Sequence, residues 1–302
     1  MPFATRPRGV RIHYETHGAG KPSVVLIQGL GLPASLWFDV PNRLAGAADP
    51  WHVVTPNHRG VGRSDRPFGL YTMGLMADDV AAVLDHAGVD RAYVVGLSLG
   101  GMVAQHLALR HASRVAGLVL MATTAGFPHV LPPNPLTLLN FLSLPLTGRL
   151  HKNRLDRSFA RLLLAERDVA RSDEFLAGWP EALRDRPTSV GAYLAHFGAV
   201  LGHSTGWRLG RIACPTVIVT GDDDALLPHH NGRWIAERIP GAHLEVVPGG
   251  HILPATDPEV VPRALARVRG ENERKPGEGP TASAASPSAG ADQMLKAPVR
   301  SR

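Results

Sequence analysis

The segment Ala92-Tyr-Val-Val-Gly-Leu-Ser-Leu-Gly-Gly101 constrains this chain more than any other. A β-branched and aromatic run, Tyr93 to Val95, passes into Gly96-Leu97-Ser98-Leu99-Gly100, and a helix-compatible stretch over 99–111 follows without a spacer. Gly-x-Ser-x-Gly between a strand and a helix is the context of a nucleophile elbow, a serine at the tip of a strained turn. Both backbones pass close to such a serine, so the positions two residues away on either side must be small. The hydroxyl then stands clear of the sheet, and the helix N-terminus favours negative charge developing beside it. The same five residues also occur as an ordinary strand–turn–helix junction, so the rest of the chain has to supply a base and an acid.

The surrounding pattern is α/β. Strand-like runs recur at 24–27, 52–55, 92–95, 117–121, 216–220 and 243–247. Between them, residues 72–87 place Met76, Val80, Val83, Leu84 and Ala87 at helical spacing. Residues 232–238 and 259–269 also read as helices, the last with Asp257 as N-cap and Pro258 in its first position. Residues 3–16 read as an opening hairpin that turns at Arg8-Gly9. Alternating strands and helices predict a mostly parallel central sheet covered by helices on both faces. The alternation breaks over 127–210, a stretch that is apolar and helix-compatible without a clear strand. It is expected to form a helical cap on a core made of 1–126 and 211–269, the alternative being extra core helices. Residues 270–302 are rich in Gly, Pro, Ala and Ser and are expected to form a disordered tail.

Composition removes several function classes. The net charge of +6 comes from 28 Arg and 4 Lys against 26 acids, a mild excess that reads as codon usage rather than a nucleic-acid surface. The densest basic segment, 149–161, reads as a solvated helix face. Cys214 is the sole cysteine, so no intrachain disulfide can form, and no Cys/His spacing fits a metal site. No cofactor is expected. The sequence contains no run of about 18 apolar residues, the length needed to span a bilayer, and residues 1–7 lack the apolar stretch of a secretory leader. The expected location is the cytoplasm.

A serine nucleophile needs a base, and the base an orienting acid. Asp222, Asp223 and Asp224 follow the strand at 216–220, where folds of this type keep their chemistry, and the three compete for the role of acid. Of 15 histidines, His251 stands out because it follows the last strand, and Gly249 and Gly250 allow a turn that aims its ring back across the sheet. Two backbone N–H donors should hold an oxyanion: Leu99, next to the serine, and Leu30, in the turn after Ile27. The loop 57–65, Asn-His-Arg-Gly-Val-Gly-Arg-Ser-Asp, reads as structural.

Over about residues 3–269 the chain resembles the α/β-hydrolase fold serine hydrolases. The resemblance is carried by Gln28-Gly-Leu-Gly31, Arg59-Gly-Val-Gly-Arg-Ser-Asp65, Gly96-Leu-Ser-Leu-Gly-Gly101, Gly221 to Pro228 with Asp at the fourth place, and Gly250-His251. Residues 29–40 and 97–105 also resemble small esterases of the aclacinomycin methylesterase type and the 3-oxoadipate enol-lactonases. The resemblance implies Ser98 as nucleophile, Asp224 as acid and His251 as base. It further implies cofactor-independent hydrolysis of a small-molecule carboxylic ester through an acyl-enzyme. Where the family usually has His-Gly, this chain has Gln28-Gly29, whose amide is free to bond the oxyanion turn. Phe127, Leu131, Leu136 and Phe141, together with Leu138, Leu139 and Leu142, are expected to line a pocket for a hydrophobic group, or else to pack among themselves. Lactone opening, perhydrolysis, carbon–carbon hydrolysis and cofactor-free oxygenation are alternatives on the same scaffold, as is a receptor with little turnover.

Overall fold

The Val- and Ile-rich runs become the inner strands of an eight-stranded sheet in a computed structural model that describes residues 2–143, 157–177, 179 and 188–273. The strands are β1 (Phe3–Thr5), β2 (Arg11–His17), β3 (Ser23–Ile27), β4 (His52–Pro56), β5 (Ala92–Leu97), β6 (Val115–Met121), β7 (Thr216–Gly221) and β8 (His243–Val247). Their spatial order is β1-β2-β4-β3-β5-β6-β7-β8. The opening hairpin pairs antiparallel, and β2 runs antiparallel to β4. From β4 to β8 every pairing is parallel. The right-hand half thus delivers the C-terminal ends of β3, β5, β7 and β8 to one edge.

Period-two alternation divides the core between the two faces. In β3, Val25 and Ile27 join the cluster formed with α2 (Met73–His86) and α3 (Leu99–Arg110), while Val24 and Leu26 join the cluster on the opposite face. That second cluster takes in Trp37, α1 (Val40–Ala45) and the apolar stripe Val260, Val261, Ala264, Leu265 and Val268. Thr72 caps α2 by accepting the Leu75 N–H at 3.1 Å.

Between β6 and β7 the described residues form α4 (Pro135–Ser143), α5 (Arg157–Leu163), α6 (Ser172–Ala177) and α7 (Val190–Leu201). Past β7 come α8 (His230–Ala236), α9 (Leu253–Thr256) and α10 (Val260–Glu273). The last helix differs from expectation at both ends. Pro258 lies in a turn before it, although Asp257 still accepts the Glu259 N–H at 3.0 Å. It also runs to Glu273, four residues past Arg269, so 270–273 are helical; the remainder of the expected tail lies outside the described residues. Most of the basic segment 149–161 lies outside them too. Among the described residues no helix is long and apolar enough to cross a membrane.

The loop 57–65 is tied down by buried polar bonds. Arg59 donates through Nε and Nη2 to Asp79 of α2, both at 2.7 Å, and the two side chains are 7% and 4% exposed. Ser64 Oγ donates to the Asn57 carbonyl at 2.8 Å. Asp79→Ala strands the guanidinium away from water and is expected to cost about 3–5 kcal/mol. Urea unfolding measures this, and a midpoint within about 0.3 M of wild type would mean that solvent reaches Arg59.

Candidate functional site

β5 ends at Leu97 and α3 begins at Leu99, which leaves Ser98 alone at the junction with φ 56° and ψ −119°. A non-glycine residue holds such a conformation only where its surroundings impose it. Here the Ser98 N–H donates to Met121 O at 2.9 Å, and its carbonyl accepts from Thr123 Oγ1 at 2.8 Å. The glycines of the motif are required by space. A Cβ on Gly96 would lie 2.4 Å from the Gly100 carbonyl oxygen, and one on Gly100 would lie 2.0 Å from that of Ile27.

The loops after β7 and β8 reach across to this serine. His251 Nε2 stands 2.9 Å from Ser98 Oγ, and His251 Nδ1 stands 2.8 Å from Asp224 Oδ2. The other oxygen of Asp224 accepts the N–H groups of Leu226 and Leu227, each at 2.9 Å. A carboxylate only accepts, so the Nδ1 proton points at Asp224 and the Nε2 lone pair faces the serine hydroxyl. Both His251 and Asp224 are buried. The His251 loop is braced from the insert, because the N–H groups of His251 and Ile252 both donate to Leu163 O, at 2.8 and 3.2 Å.

The three competing aspartates separate by their bonds. Asp222 accepts the Gly249 N–H at 3.0 Å and pairs with Arg167. Its partial burial works against ionisation, but the Gly249 N–H and Arg167 outweigh this and hold the carboxyl below its usual range. Asp223 accepts the Glu166 N–H at 2.8 Å. Only Asp224, of these three, bonds the imidazole.

Leu30 and Leu99 both border the cavity above Ser98. The turn bearing Leu30 is shaped by Gln28, which is 1% exposed and whose Oε1 accepts the Gly29 N–H at 2.8 Å. The unusual glutamine therefore bonds the turn through its side-chain amide.

The cavity measures about 370 Å³, with Ser98 and His251 on its wall. Phe127, Val130, Leu138 and Phe141 line it from the first half of the insert, and Tyr193, Phe197, Val200 and Leu201 from α7. None of the described lining residues is Asp, Glu, Lys or Arg. Two expected lining residues are not there. Leu131 is 48% exposed and held by backbone bonds to Asn231, and Leu136 is 67% exposed. Leu131 precedes α4, and for Leu136 the cause is helical periodicity in α4, where Leu138 and Phe141, three apart, line the cavity while Leu136 and Leu139 do not. The Leu142 side chain lies outside the described residues. Sequence reasoning missed the α7 lining, although its spacing at 193, 197 and 200–201 marks one helical face. Among the described residues no three His, Cys, Asp or Glu side chains are grouped to hold a metal ion.

A family model described as alpha/beta hydrolase fold matches residues 22–258. The chain is 32% identical over 268 residues to a protein of Caulobacter vibrioides provisionally named carbamate hydrolase RutD, covering 84% of this chain and 93% of that one. It is 29% identical over 264 residues to a 2-hydroxy-6-oxononadienedioate/2-hydroxy-6-oxononatrienedioate hydrolase of Paraburkholderia phymatum, with coverage of 78% and 83%. Among solved structures, a thermophilic esterase from Thermogutta terrifontis (malate bound) matches with a TM-score of 0.73 at 26% identity, covering 90% of this chain and 98% of that one.

Proposed function

Because the chain belongs to the alpha/beta hydrolase fold family, we propose that it is a serine hydrolase cleaving a small, hydrophobic carboxylic ester through an acyl-enzyme on Ser98. The observation that carries this is the unbroken chain from Ser98 Oγ through His251 to Asp224 beside an apolar cavity. Ser98 Oγ attacks the acyl carbon as its proton passes to His251 Nε2. Asp224 holds the imidazole tautomer and stabilises the cation that forms. The Leu30 and Leu99 N–H groups receive the negative charge of the tetrahedral intermediate. The alcohol leaves with the Nε2 proton, and water, deprotonated by the same nitrogen, releases the acid. The insert 127–210 acts as the cap that shapes the acyl pocket.

The relatives named for a carbamate and for a 2-hydroxy-6-oxononadienedioate offer rival substrates for the same residues. The lining favours an ester. A doubly charged dioate would need cationic partners on burial, and the described walls carry none. Carbamate is small and polar and would leave most of about 370 Å³ of apolar space unfilled.

A series of p-nitrophenyl esters of increasing acyl length, followed by intact-protein mass, tests the reading. Turnover that rises with chain length and an acyl adduct on Ser98 support it; no turnover of any ester, with no adduct, overturns it. The cap carries its own expectation. Leu138→Ser with Phe141→Ser should raise KM for octanoate far more than for acetate, since each buried methylene is worth roughly 0.8 kcal/mol, or about fourfold. An unchanged chain-length profile would place acyl selectivity elsewhere.

A further inference from the structure

The turn that carries Leu30 is gripped from two other parts of the chain. His58 Nε2 donates to the Gln28 carbonyl at 2.9 Å. Gly31 is held through both of its backbone polar groups: its N–H donates to His196 Nδ1 at 3.2 Å, and its carbonyl accepts from Thr188 Oγ1 at 2.7 Å. Both of these partners come from the insert. Thr188 precedes Ser189, whose Oγ caps α7 by accepting the Ala192 N–H at 3.2 Å, and His196 lies on α7 itself.

His196 is fully buried and also donates from Nε2 to the Arg59 carbonyl at 2.9 Å. These two bonds define its tautomer, with an acceptor at Nδ1 and a donor at Nε2. Burial first, and then the neighbouring His58, push its pKa down to about 3. The Nδ1 lone pair therefore stays available to Gly31 throughout the neutral range. Meanwhile Tyr193, Phe197, Val200 and Leu201 of the same helix border the cavity. One helix thus touches the acyl pocket with one set of side chains and the oxyanion turn with another.

We propose that His196 and Thr188 are positioning residues that set the aim of the Leu30 N–H, so that filling the acyl pocket against α7 and presenting the oxyanion donor are linked through one helix. This rests on the ester-hydrolase reading above. The consequence is a split in kinetics. The oxyanion exists only after attack, so a misaimed Leu30 N–H weakens the transition state and leaves ground-state binding of the apolar acyl chain intact.

Thr188→Val and Thr188→Ser form the cleanest test pair, because valine keeps the branched shape and removes the donor while serine keeps the donor. His196→Ala and His196→Asn form the second pair, asparagine restoring an acceptor near the Nδ1 position. The readouts are kcat and KM for p-nitrophenyl butyrate and the Ki of butaneboronic acid, which forms a tetrahedral adduct on a serine oxygen. Thr188→Val is expected to lower kcat by about tenfold or more, a fraction of the loss from deleting an oxyanion donor outright. KM should stay within about threefold and the boronate Ki should rise in step with the fall in kcat. Thr188→Ser should recover most of both, and His196→Asn should recover more than His196→Ala. Should Thr188→Val match wild type in kcat and boronate Ki, whatever its thermal midpoint, the proposal is overturned. Equal losses in Thr188→Val and Thr188→Ser overturn it as well. A wild-type protein that takes neither boronate nor an acyl group on Ser98 instead sinks the ester-hydrolase reading on which the proposal stands.

Discussion

Ser98→Ala is expected to lower kcat by about four orders of magnitude or more while the protein keeps its fold and its affinity for apolar ligands. The size of the loss follows from what is removed. The hydroxyl is the attacking atom, and what remains is binding and the oxyanion donors acting on water. Stability should change little, because the backbone bonds of Ser98 to Met121 and Thr123 do not use the side chain. The relevant measurements are kcat on p-nitrophenyl butyrate, the thermal midpoint, and intact mass after a fluorophosphonate probe. The wild type should take one label, on Ser98, and the variant none. Hydrolysis by the variant above about a tenth of the wild-type rate, or labelling that survives the substitution, would sink the assignment of Ser98.

Asp224→Asn should also be severely damaging, with kcat/KM down by about 10⁴. Asparagine fits the space and its carbonyl can still accept the Leu226 and Leu227 N–H groups. Its NH₂ then faces His251 Nδ1, where the carboxylate had been an acceptor. The ring must adopt the other tautomer, with a proton rather than a lone pair toward Ser98 Oγ. Asp222→Asn and Asp223→Asn lack that consequence, since their partners are Gly249, Arg167 and Glu166. Their kcat/KM should stay within about tenfold of wild type. A variant series in which Asp222 or Asp223 proves the critical acid would show that the solution arrangement of the loop after β7 differs from the one described.

The sheet was legible because its strands are short, β-branched and buried on both faces, as in Val24 to Ile27 and Val94 to Leu97. The Ser98 junction was legible because both glycines are imposed by backbone approach, a constraint that leaves a mark in sequence. The choice among Asp222, Asp223 and Asp224 was less so. Three consecutive carboxylates differ only in where the turn aims them, and turn geometry depends on Gly249 and on insert residues far away in sequence. Leu131 and Leu136 were expected in the pocket because an apolar run announces burial without saying which face; a helical phase for α4 would have favoured Leu138 and Phe141. His196 carried no local signal at all. Its partners, Gly31 and Arg59, lie 165 and 137 positions away, and one histidine among fifteen has nothing to distinguish it until the chain is folded.

Leu163 to Arg167 joins the insert to the loops of the base and the acid by four separate bonds: Leu163 O to the N–H groups of His251 and Ile252, the Glu166 N–H to Asp223, and Arg167 to Asp222. A protein engineer who wished to retune this scaffold would meet that fact at once. The insert cannot be exchanged wholesale as a cassette from a relative, because a foreign backbone over 163–167 would leave the loops of His251 and of Asp222 and Asp223 without their footing even if every residue of the core were kept. Exchange confined to the stretch before Ser143 keeps the footing and alters only the wall that an acyl chain meets. The boundaries for grafting are therefore set by the hydrogen bonds of the His251 loop, and not by the ends of the neighbouring strands.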